Sequence, residues 1–428
     1  MAPQSVYDVI VAGGGSAGVA AAVAAAREGA DVLLVEQAGC LGGASTMRNV
    51  VTYCGLYTLA DEPERAVGGI ADEVTDRLAT LEALSAITRH RGVFVVFEPE
   101  AVKVVLDDIC EDAGVTVALG ATIIAARRHT AQIASIEVVG QGTQQRFSAR
   151  AFVDATGDAN LASLGGAAVR YGNDGEVNLG SMGTRFGGIS PTVEVTATAF
   201  AAAVNDLPEG LRGQVTKDRS IIARLPISGD LVCYVASVDY DARDILSYSG
   251  AERSGRRQAW VYLQALRTLP GCEAAYLVST GPQFGTRESR HIESDRQLTW
   301  DDIEQRHQFD DCVALGAWGA EWHSRADYSS TFDYPPDRRA FEIPLRCLHS
   351  RDTQNLWGAG RLVDGDKRAG AAARVMGTSF ATGQAAGIAA SVFANDESVD
   401  AELVRNALRR QGALISPVDL HPLHVGDQ

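Results

Sequence analysis

The sequence predicts an α/β fold built on a parallel sheet, and two observations predict it. Residues 6–36 read as a strand, a tight turn, a helix and a second strand, which together form one β-α-β unit. Further runs at 151–157 and 341–345 are almost wholly apolar, as strands buried on both faces of a parallel sheet are. We therefore expect strands from both ends of the chain to share one sheet.

Local signals predict the elements of the first part of the chain. An Ala-rich helix is expected from residue 16 to Arg27, and Gly29 fits its C-terminal stop. Apolar residues at helical spacing predict two more helices, over 64–84 and 98–114. Turn residues divide the segment up to 157 into several short strands.

The character of the chain changes between about 170 and 340. Strand-like segments such as "LVCYVASVDY" alternate with helical ones such as "RRQAWVYLQALRTL", and no β-α-β rhythm is visible. The buried pattern returns at 341 and ends in a long Ala/Gly helix over 371–393. The sequence thus predicts an α/β domain formed by residues 1–168 and 340–428, with a mostly β substrate-binding or cap domain inserted at 169–339.

Length and composition exclude several classes of protein. A chain of 428 residues normally folds as more than one domain. Asp and Glu outnumber Lys and Arg by 54 to 38, and a net charge of −16 disfavours nucleic acid as a partner. Seven scattered cysteines without a C-x-x-C pair indicate reduced thiols in a cytoplasm rather than disulfides or a zinc site, and no metal is expected. We expect no signal peptide and no membrane span.

Gly13, Gly15 and Gly18 form a G-x-G-x-x-G motif between the first strand and the first helix. In this motif the glycines allow the tight turn, the approach of a pyrophosphate and close helix packing, and the helix N-terminus faces the phosphates. Glu36 ends the second strand, where an acid binds ribose hydroxyls and disfavours a 2′-phosphate. The motif predicts NAD or FAD binding. The alternative, a turn that only packs helix on sheet, does not account for Glu36.

Four longer segments carry a family resemblance. "VEQAGCLGGAS" (35–45) and "FVDATGDANLASLGGA" (152–167) resemble the FAD-binding motifs of glutathione-reductase-type flavoproteins. "GPQFGTRESRHIESDRQLTWDDI" (281–303) and the segment 355–390 resemble FAD-dependent oxidoreductases with a GTRESR motif. The resemblance leaves about 170–280 unmatched. It implies a single Rossmann-like FAD domain of the glutathione-reductase type, with FAD as the cofactor.

The resemblance also implies where FAD binds. The N-terminus of the helix beginning near 374 would point at the flavin pyrimidine ring. A helix dipole there stabilises the negative charge of the reduced flavin. The alternative for the helix near 374 is an ordinary buried helix. Asp158 has an alternative or additional role as the N-cap of the helix that follows it. Asp364 and Asp366 either bind ribityl hydroxyls or belong to a solvated loop. The expected FAD contacts are Gly13, Gly15, Ser16, Ala17, Gly18, Glu36, Gln37, Gly42, Gly43, Ala44, Ser45, Ala155, Thr156, Gly157, Asp158, Gly360, Arg361, Arg374, Val375 and Met376.

The resemblance places the substrate near "GTRESRHI" (285–292). Arg287 and Arg290 would bind a carboxylate or an enolate-like anion, because a guanidinium donates a rigid fork, and Glu288 would orient one of them. The alternative is a structural Arg–Glu network between the domains. His291 is either a general base or a structural histidine.

Tyr53 and Cys54 follow the second glycine pair and are expected to line the pocket. Tyr53 would act as a base or hydrogen-bond donor. Cys54 would tether the flavin covalently, or would be a small buried hydrophobe.

The absence of a second dinucleotide motif and of a close cysteine pair argues against a pyridine-nucleotide disulfide reductase. The expected activity is that of an FAD-dependent dehydrogenase or oxidase, which moves a hydride from a small organic substrate to flavin N5. An FAD-dependent monooxygenase and a non-catalytic FAD-binding protein are the alternatives. The substrate, the electron acceptor and the oligomeric state stay open.

Overall fold

A computed structural model describes residues 5–420. The strands in this range, in chain order, are β1 (Ser5–Ala12), β2 (Val32–Val35), β3 (Thr52–Cys54), β4 (Thr88–Arg89), β5 (Val93–Val96), β6 (Thr116–Ala118), β7 (Thr122–His129), β8 (Gln132–Gly140), β9 (Thr143–Asp154), β10 (Val169–Tyr171), β11 (Gly180–Gly187), β12 (Ile222–Arg224), β13 (Leu231–Val238), β14 (Tyr276–Thr280), β15 (Arg290–Ile292), β16 (Cys312–Gly316), β17 (Ala320–His323), β18 (Ser330–Asp333), β19 (Phe341–Pro344) and β20 (Leu356–Gly358).

The α-helices alternate with these strands. They are α1 (Ser16–Arg27), α2 (Ala44–Met47), α3 (Ile70–Thr80), α4 (Pro99–Asp112), α5 (Asn160–Leu164), α6 (Ala197–Asn205), α7 (Glu209–Arg212), α8 (Ile245–Leu266), α9 (Trp300–Glu304), α10 (Lys367–Ala373), α11 (Met376–Asp396) and α12 (Ala401–Arg410). Among the described residues, no helix combines the length and the apolarity that crossing a membrane would need.

A seven-stranded sheet forms the centre of the molecule. Its strands run in the order β6-β2-β1-β9-β8-β7, and β20 pairs with the C-terminal end of β9. Strands β6, β2, β1, β9 and β20 are parallel, and β7, β8 and the first half of β9 form an antiparallel meander. The predicted α/β fold with a parallel sheet is confirmed. The carboxyl ends of the parallel strands meet at one edge, where α/β proteins bind ligands.

Helices α1 and α11 come from opposite ends of the chain and pack backbone to backbone. A Cβ atom at Gly383 would lie 2.1 Å from the Ala17 carbonyl oxygen, and one at Gly387 would lie 2.0 Å from that of Ala21. Only glycine therefore fits at these two positions of α11. The contact holds the N-terminal ends of both helices near the same sheet edge.

A second hydrophobic core lies within residues 177–284. It is formed by the antiparallel sheet β12-β13-β11-β14 and by helices that include α6 and α8. Large side chains that follow this core in the chain, such as Trp300 and Phe309, pack instead into the hydrophobic core that contains the buried residues of α1 and α11. The domain boundaries at 169 and 339 stay a prediction.

Two expected helices differ from the observed ones. The helix expected over 64–84 begins at Ile70, because Gly69 has a positive φ of 65° and the Ala66 amide donates to the Leu56 carbonyl in a turn. The helix expected over 371–393 is broken into α10 and α11. Val375 adopts an extended conformation (φ −73°, ψ 157°), so a new helix N-terminus forms at Met376.

Candidate active site

The G-x-G-x-x-G loop fits closely between the sheet and α1. Gly13 has a φ of +95°, and a Cβ there would lie 2.5 Å from the Ala155 carbonyl oxygen. A Cβ at Gly18 would lie 1.7 Å from the Gly13 carbonyl oxygen, whereas one at Gly15 would meet nothing nearer than the Gly43 Cα at 3.9 Å. The loop therefore packs tightly on two sides and is open above Gly15.

The Glu36 carboxylate is fixed beside this loop. It accepts hydrogen bonds from the Gly14 amide at 2.6 Å and from the Ala38 amide at 2.7 Å, and the residue is buried. Two backbone donors thus hold the carboxylate at the end of β2, where a ribose is expected. The neighbouring Gln37 is exposed.

The second glycine pair lies directly against the first loop. The Gly42 amide donates to the Gly14 carbonyl at 2.8 Å, and a Cβ at Gly43 would lie 2.9 Å from the Gly15 Cα. Ala44 and Ser45 then begin α2, and the Ser45 hydroxyl donates to the Gly42 carbonyl at 2.8 Å. We call residues 13–18 with Gly42 and Gly43 the glycine cradle.

The turn after β9 meets the segment after β20 through an ion pair. Arg361 Nη2 donates to Asp158 Oδ1 at 2.7 Å, and the Ser289 hydroxyl donates to the same oxygen. Burial opposes ionisation of Asp158, but the Arg361 and Arg48 guanidiniums hold its pKa below the ordinary value. Asp158 is not the helix N-cap that the sequence allowed. Asp154 accepts from the Ala162 amide of α5 instead.

Unpaired buried polar atoms border the glycine cradle. Ser16 Oγ, at the start of α1, and Arg361 Nη1 are both buried without a hydrogen-bond partner among residues 5–420. Gly360 has a φ of +77°, and a Cβ added there would lie 3.0 Å from the Ala17 Cβ. A hydroxyl, a guanidinium N–H and the N-terminus of α1 around an open loop fit a pyrophosphate.

The break between α10 and α11 places Arg374, Val375 and Met376 at a helix N-terminus. This end packs on the chain after β3, because a Cβ at Gly377 would lie 2.5 Å from the carbonyl carbon of Gly55. Thr378 Oγ1, in the first turn of α11, is buried without a partner in the described range. The N-terminus of α11 is thereby held at the same sheet edge as the cradle.

An ionic cluster lies next to the N-terminus of α11. We define it as Lys217, Arg287, Glu321, His323 and Arg374. Its measured contacts are Arg374 Nη2 to Glu321 Oε2 at 3.5 Å, His323 Nε2 to Glu321 Oε1 at 3.4 Å and Lys217 Nζ to His323 Nδ1 at 3.4 Å. Arg287 donates to the Leu179 carbonyl at 2.6 Å.

Burial and the charges of neighbouring side chains shift the pKa values of four groups in this cluster, those of Lys217, Arg287, Glu321 and His323. Burial and the Arg287 charge lower the pKa of His323 to about 3 and that of Lys217 to about 8. Burial and the Arg374 charge lower the pKa of Arg287 to about 10. Burial opposes ionisation of Glu321, but His323, Arg374 and Arg287 hold its pKa below the ordinary value. At neutral pH the cluster therefore holds a carboxylate, a neutral imidazole and three cations.

The structure separates the residues of the GTRESR motif. Arg287 joins the ionic cluster, whereas Arg290 points to the cofactor side, 3.5 Å from the Asp158 carbonyl oxygen. Glu288 orients neither arginine, contrary to expectation. Its carboxylate accepts from the Asn178 amide at 2.9 Å and lies 2.9 Å from His291 Nε2.

His291 has no free ring nitrogen in this arrangement. Nε2 contacts Glu288, and Nδ1 lies 2.9 Å from the Val363 carbonyl oxygen in a buried position. The structural alternative for His291 thus fits better than a general base.

The Tyr53 ring lies in the hydrophobic core, and its hydroxyl is buried without a hydrogen-bond partner in the described range. Its ring is fully buried, 4.1 Å from the Phe97 ring and 5.5 Å from the Phe380 ring between centroids. Burial raises the pKa of the hydroxyl, which disfavours a basic phenolate. Cys54 is partly buried, and burial raises the pKa of its thiol to about 12. A protonated thiol is a poor nucleophile for tethering flavin.

Asp364 is buried and Asp366 is partly buried, and both carboxylates bond to other parts of the chain. Asp364 pairs with Arg170 at 2.9 Å and accepts from the Ser294 amide at 3.0 Å. Asp366 caps α10 and accepts from the Trp300 amide at 2.7 Å. Both carboxylates therefore hold loops together.

No sequence motif marks Lys217, Glu321 or His323. Glu321 and His323 are two residues apart on β17, so one face of a strand carries both, and this spacing was the one available signal. Lys217 is about 70 residues from Arg287 and carries no motif of its own.

A glycine cradle, a buried acid at the end of β2 and a helix N-terminus at one parallel sheet edge define a dinucleotide-binding protein with a Rossmann-like domain. A family model described as FAD dependent oxidoreductase matches residues 8–411. The chain belongs to this family, and its cofactor is FAD.

Other comparisons are more distant. A segment is 35% identical over 90 residues, 21% of this chain, to 4-oxocyclohexanecarboxylate 2-dehydrogenase of Sinomonas cyclohexanicum, and the match spans 14% of that protein's length. The solved structure of BexE is 13% identical, with a TM-score of 0.50, and covers 95% of this chain and 66% of BexE. The p-nitrophenol 4-monooxygenase PnpA of Pseudomonas putida is 11% identical, with a TM-score of 0.42, over 94% of this chain and 84% of that one. These two likenesses are of fold alone.

Proposed function

We propose that this FAD-dependent oxidoreductase is a dehydrogenase or oxidase that transfers a hydride from a small organic substrate to flavin N5. One observation carries the proposal. The N-terminus of α11 adjoins the glycine cradle on one side, and through Arg374 it adjoins the ionic cluster on the other. A substrate held in the cluster would therefore lie beside the flavin. The curated relative is also named a dehydrogenase.

The residues proposed to hold FAD follow from the fit of the cradle. Gly15, Ser16 and Arg361 would bind the pyrophosphate, Glu36 the adenosine ribose, and the α11 N-terminus the pyrimidine ring. Bound FAD supplies a two-electron acceptor, which the protein has only to position. The remaining expected contacts, including Ala155, Thr156 and Gly157, line the same sheet edge.

The catalytic residues proposed are those of the cluster that can touch a substrate. Arg287 would orient the substrate by donating to one of its oxygens, since its guanidinium makes only one hydrogen bond within the described residues. Arg290 is proposed to act on the cofactor side through Asp158. The partly buried walls of the cluster would exclude water from the reacting centre.

Anaerobic mixing tests the proposal. Holoenzyme is mixed with candidate alcohols, amines and saturated acids, and flavin absorbance is followed. We expect one class to bleach the flavin without NAD(P)H. Arg287→Gln should slow bleaching, whereas Arg219→Gln, which removes an exposed charge two residues from Lys217, should leave it unchanged. Bleaching by NADPH alone would contradict the proposal.

An FAD-dependent monooxygenase is the second candidate. The support is that PnpA is named a monooxygenase and that the work on BexE concerns a biosynthetic oxidation, and both share this fold. The solved structures of similar fold weigh toward this candidate and do not exclude the first. NADPH consumption with oxygen incorporation into product would establish it, and a protein that retains FAD without any turnover would support a non-catalytic role.

The finer organisation is also proposed. We infer a glutathione-reductase-type FAD domain from 1–168 and 340–428, supported by the pairing of β20 with β9. The segment 169–339 would form the substrate domain, supported by the separate core within 177–284. The partly buried or buried free cysteines support a reducing, cytoplasmic location.

A further inference from the structure

The ionic cluster carries more positive than negative charge. Lys217, Arg287 and Arg374 are opposed by one carboxylate, that of Glu321, and His323 is neutral because of its lowered pKa. Arg91 and Asp327 act on Lys217 from exposed positions and offset one another. An uncompensated charge is costly in a largely buried position, so a further anion would stabilise the cluster.

The carboxylate contacts inside the cluster are long. The Glu321 carboxylate lies 3.4 Å from His323 and 3.5 Å from Arg374, whose Nη2 also donates to the Glu321 main-chain carbonyl at 3.1 Å. Comparably buried pairs elsewhere in the chain are shorter, such as Arg185 with Asp230 at 2.6 Å. Charge-assisted hydrogen bonds are strongest near 2.7–2.9 Å, so the cations of the cluster are not saturated by Glu321.

Several donors in and around the cluster have no acceptor. Arg374 Nε is buried without a hydrogen-bond partner in the described part of the chain. The same holds for the hydroxyls of Thr286, which precedes Arg287, and of Thr378, in the first turn of α11. Buried donors of this kind normally have partners, and each one left unpaired is unfavourable. Arg374 Nε, which belongs to the cluster itself, is thus available to donate to a carboxylate oxygen.

From this charge and these donors we infer that the substrate carries a carboxylate group, which binds between Arg287, Arg374 and Lys217. The inference rests on the proposed function, because it names the substrate class of the same site. Inorganic phosphate is the competing anion for the same cations and is therefore one of the probes. An amine is disfavoured by the three cations.

The test is equilibrium binding to the FAD-loaded protein, followed by the flavin absorbance shift and by calorimetry. The probes are benzoate, hexanoate and succinate, each with its neutral amide, together with inorganic phosphate and benzylamine. We expect at least one acid to bind about tenfold or more tightly than its amide. Binding is measured without turnover, so it is independent of whether the substrate reduces flavin.

Variants locate the binding. Arg287→Gln should weaken the preferred acid by about 10- to 100-fold, and Lys217→Gln serves as a second variant if the first does not fold. Arg219→Gln is the matched control, since it removes an exposed cation of the same region. Glu321→Gln should not weaken the acid, because it removes the one competing carboxylate of the cluster.

Three results would overturn the inference. Acids that bind no better than amides, or not at all, would exclude a carboxylate site. Phosphate binding in the absence of acid binding would assign the cluster to another anion. Benzylamine binding that Glu321→Gln abolishes would assign it to a cation. If an acid binds at the cluster but no substrate bleaches the flavin, the inference holds and the proposed hydride transfer fails.

Discussion

Arg361 Nη2 lies 2.7 Å from Asp158 Oδ1 and joins the turn after β9 to the segment after β20. The pair leaves Arg361 Nη1 buried and unpaired beside the glycine cradle. One guanidinium thus fixes the local structure with one amino group and offers the other to a ligand. The pair is only slightly exposed, with 13% and 19% of its two side chains accessible.

Arg361→Gln should therefore impair both folding and FAD retention. Breaking a largely buried pair leaves the Asp158 carboxylate with only the Arg48 charge and the Ser289 hydroxyl to stabilise it, and we expect a loss of about 3 kcal/mol in the free energy of unfolding. Urea unfolding and FAD content after gel filtration measure the two effects. Arg351→Gln, which breaks the more exposed pair with Glu293, is the control and should change both little. Full FAD retention by Arg361→Gln would contradict the assignment.

The same pair predicts an acid limit. Because the pKa of Asp158 is held below its ordinary value, its ionised form stabilises the folded state at neutral pH. That contribution is complete above the ordinary aspartate pKa of about 3.9 and is lost as pH falls below it. We expect FAD release on acidification below about pH 4, with a shallower pH dependence in Asp158→Asn.

Gly383→Ala tests the contact between α1 and α11. The added Cβ would lie 2.1 Å from the Ala17 carbonyl oxygen, so the helices must separate, at a cost of about 3 kcal/mol. We expect a lower melting temperature and weaker FAD binding. Gly210→Ala is the matched control, since a Cβ there meets nothing within 4 Å. Equal effects of the two substitutions would refute the close contact.

Lys217 predicts a pH dependence of carboxylate binding. Its pKa of about 8 means that its charge is present below pH 8 and lost above it. Affinity for an acid should therefore fall as pH rises through about 8. Titrations of benzoate between pH 6 and about 10 should show this step in the wild-type protein and not in Lys217→Gln.

Two substitutions at Tyr53 distinguish a packing role of its ring from a catalytic role of its hydroxyl. Tyr53→Phe removes the hydroxyl and keeps the ring between Phe97 and Phe380, so flavin reduction should stay within about twofold of the wild-type rate. Tyr53→Ala should cost about 3–5 kcal/mol of stability, as deletion of a buried aromatic side chain does. Stopped-flow reduction and urea unfolding give the two values. A large rate loss in Tyr53→Phe would restore a catalytic role for the hydroxyl.

Cys54 predicts that FAD is not covalently bound through this residue. Its thiol stays protonated near neutral pH, because burial raises the pKa to about 12. After acid precipitation the FAD should be in the supernatant for the wild-type protein and for Cys54→Ser alike. A yellow pellet that becomes white in Cys54→Ser would prove the tether.

The sequence could predict those parts of the fold and cradle that depend on local signals. Helix α1 has the predicted bounds, because its periodicity, its glycine loop and Gly29 agree. Composition alone does not predict the break at Val375, since Ala and Gly continue on both sides, whereas the family resemblance places a helix N-terminus near 374. The first turn of α11 packs on Gly55, which lies more than 300 residues away in the chain, and no local signal indicates that contact.

The ionic cluster could not be predicted from the sequence for the same reason. Arg287 lies in a recognisable motif, but its partners Lys217 and Glu321 lie in segments without one. Their proximity is a product of tertiary packing, which brings β17 next to α10. Likewise Glu288 and His291 are close in sequence to the arginines, yet they bond to each other because Asn178 and Val363 lie opposite them.

The contact between α1 and α11 has a consequence for biosynthesis. Ala17 and Ala21 leave the ribosome more than 360 residues before Gly383 and Gly387. Until then, the first β-α-β unit lacks the helix that covers it, and its alanine-rich surface stays without a partner. Domains fold as units during synthesis, so we expect FAD loading to wait until α11 has emerged. Nascent chains stalled before residue 360 should accordingly bind no flavin and should depend on chaperones.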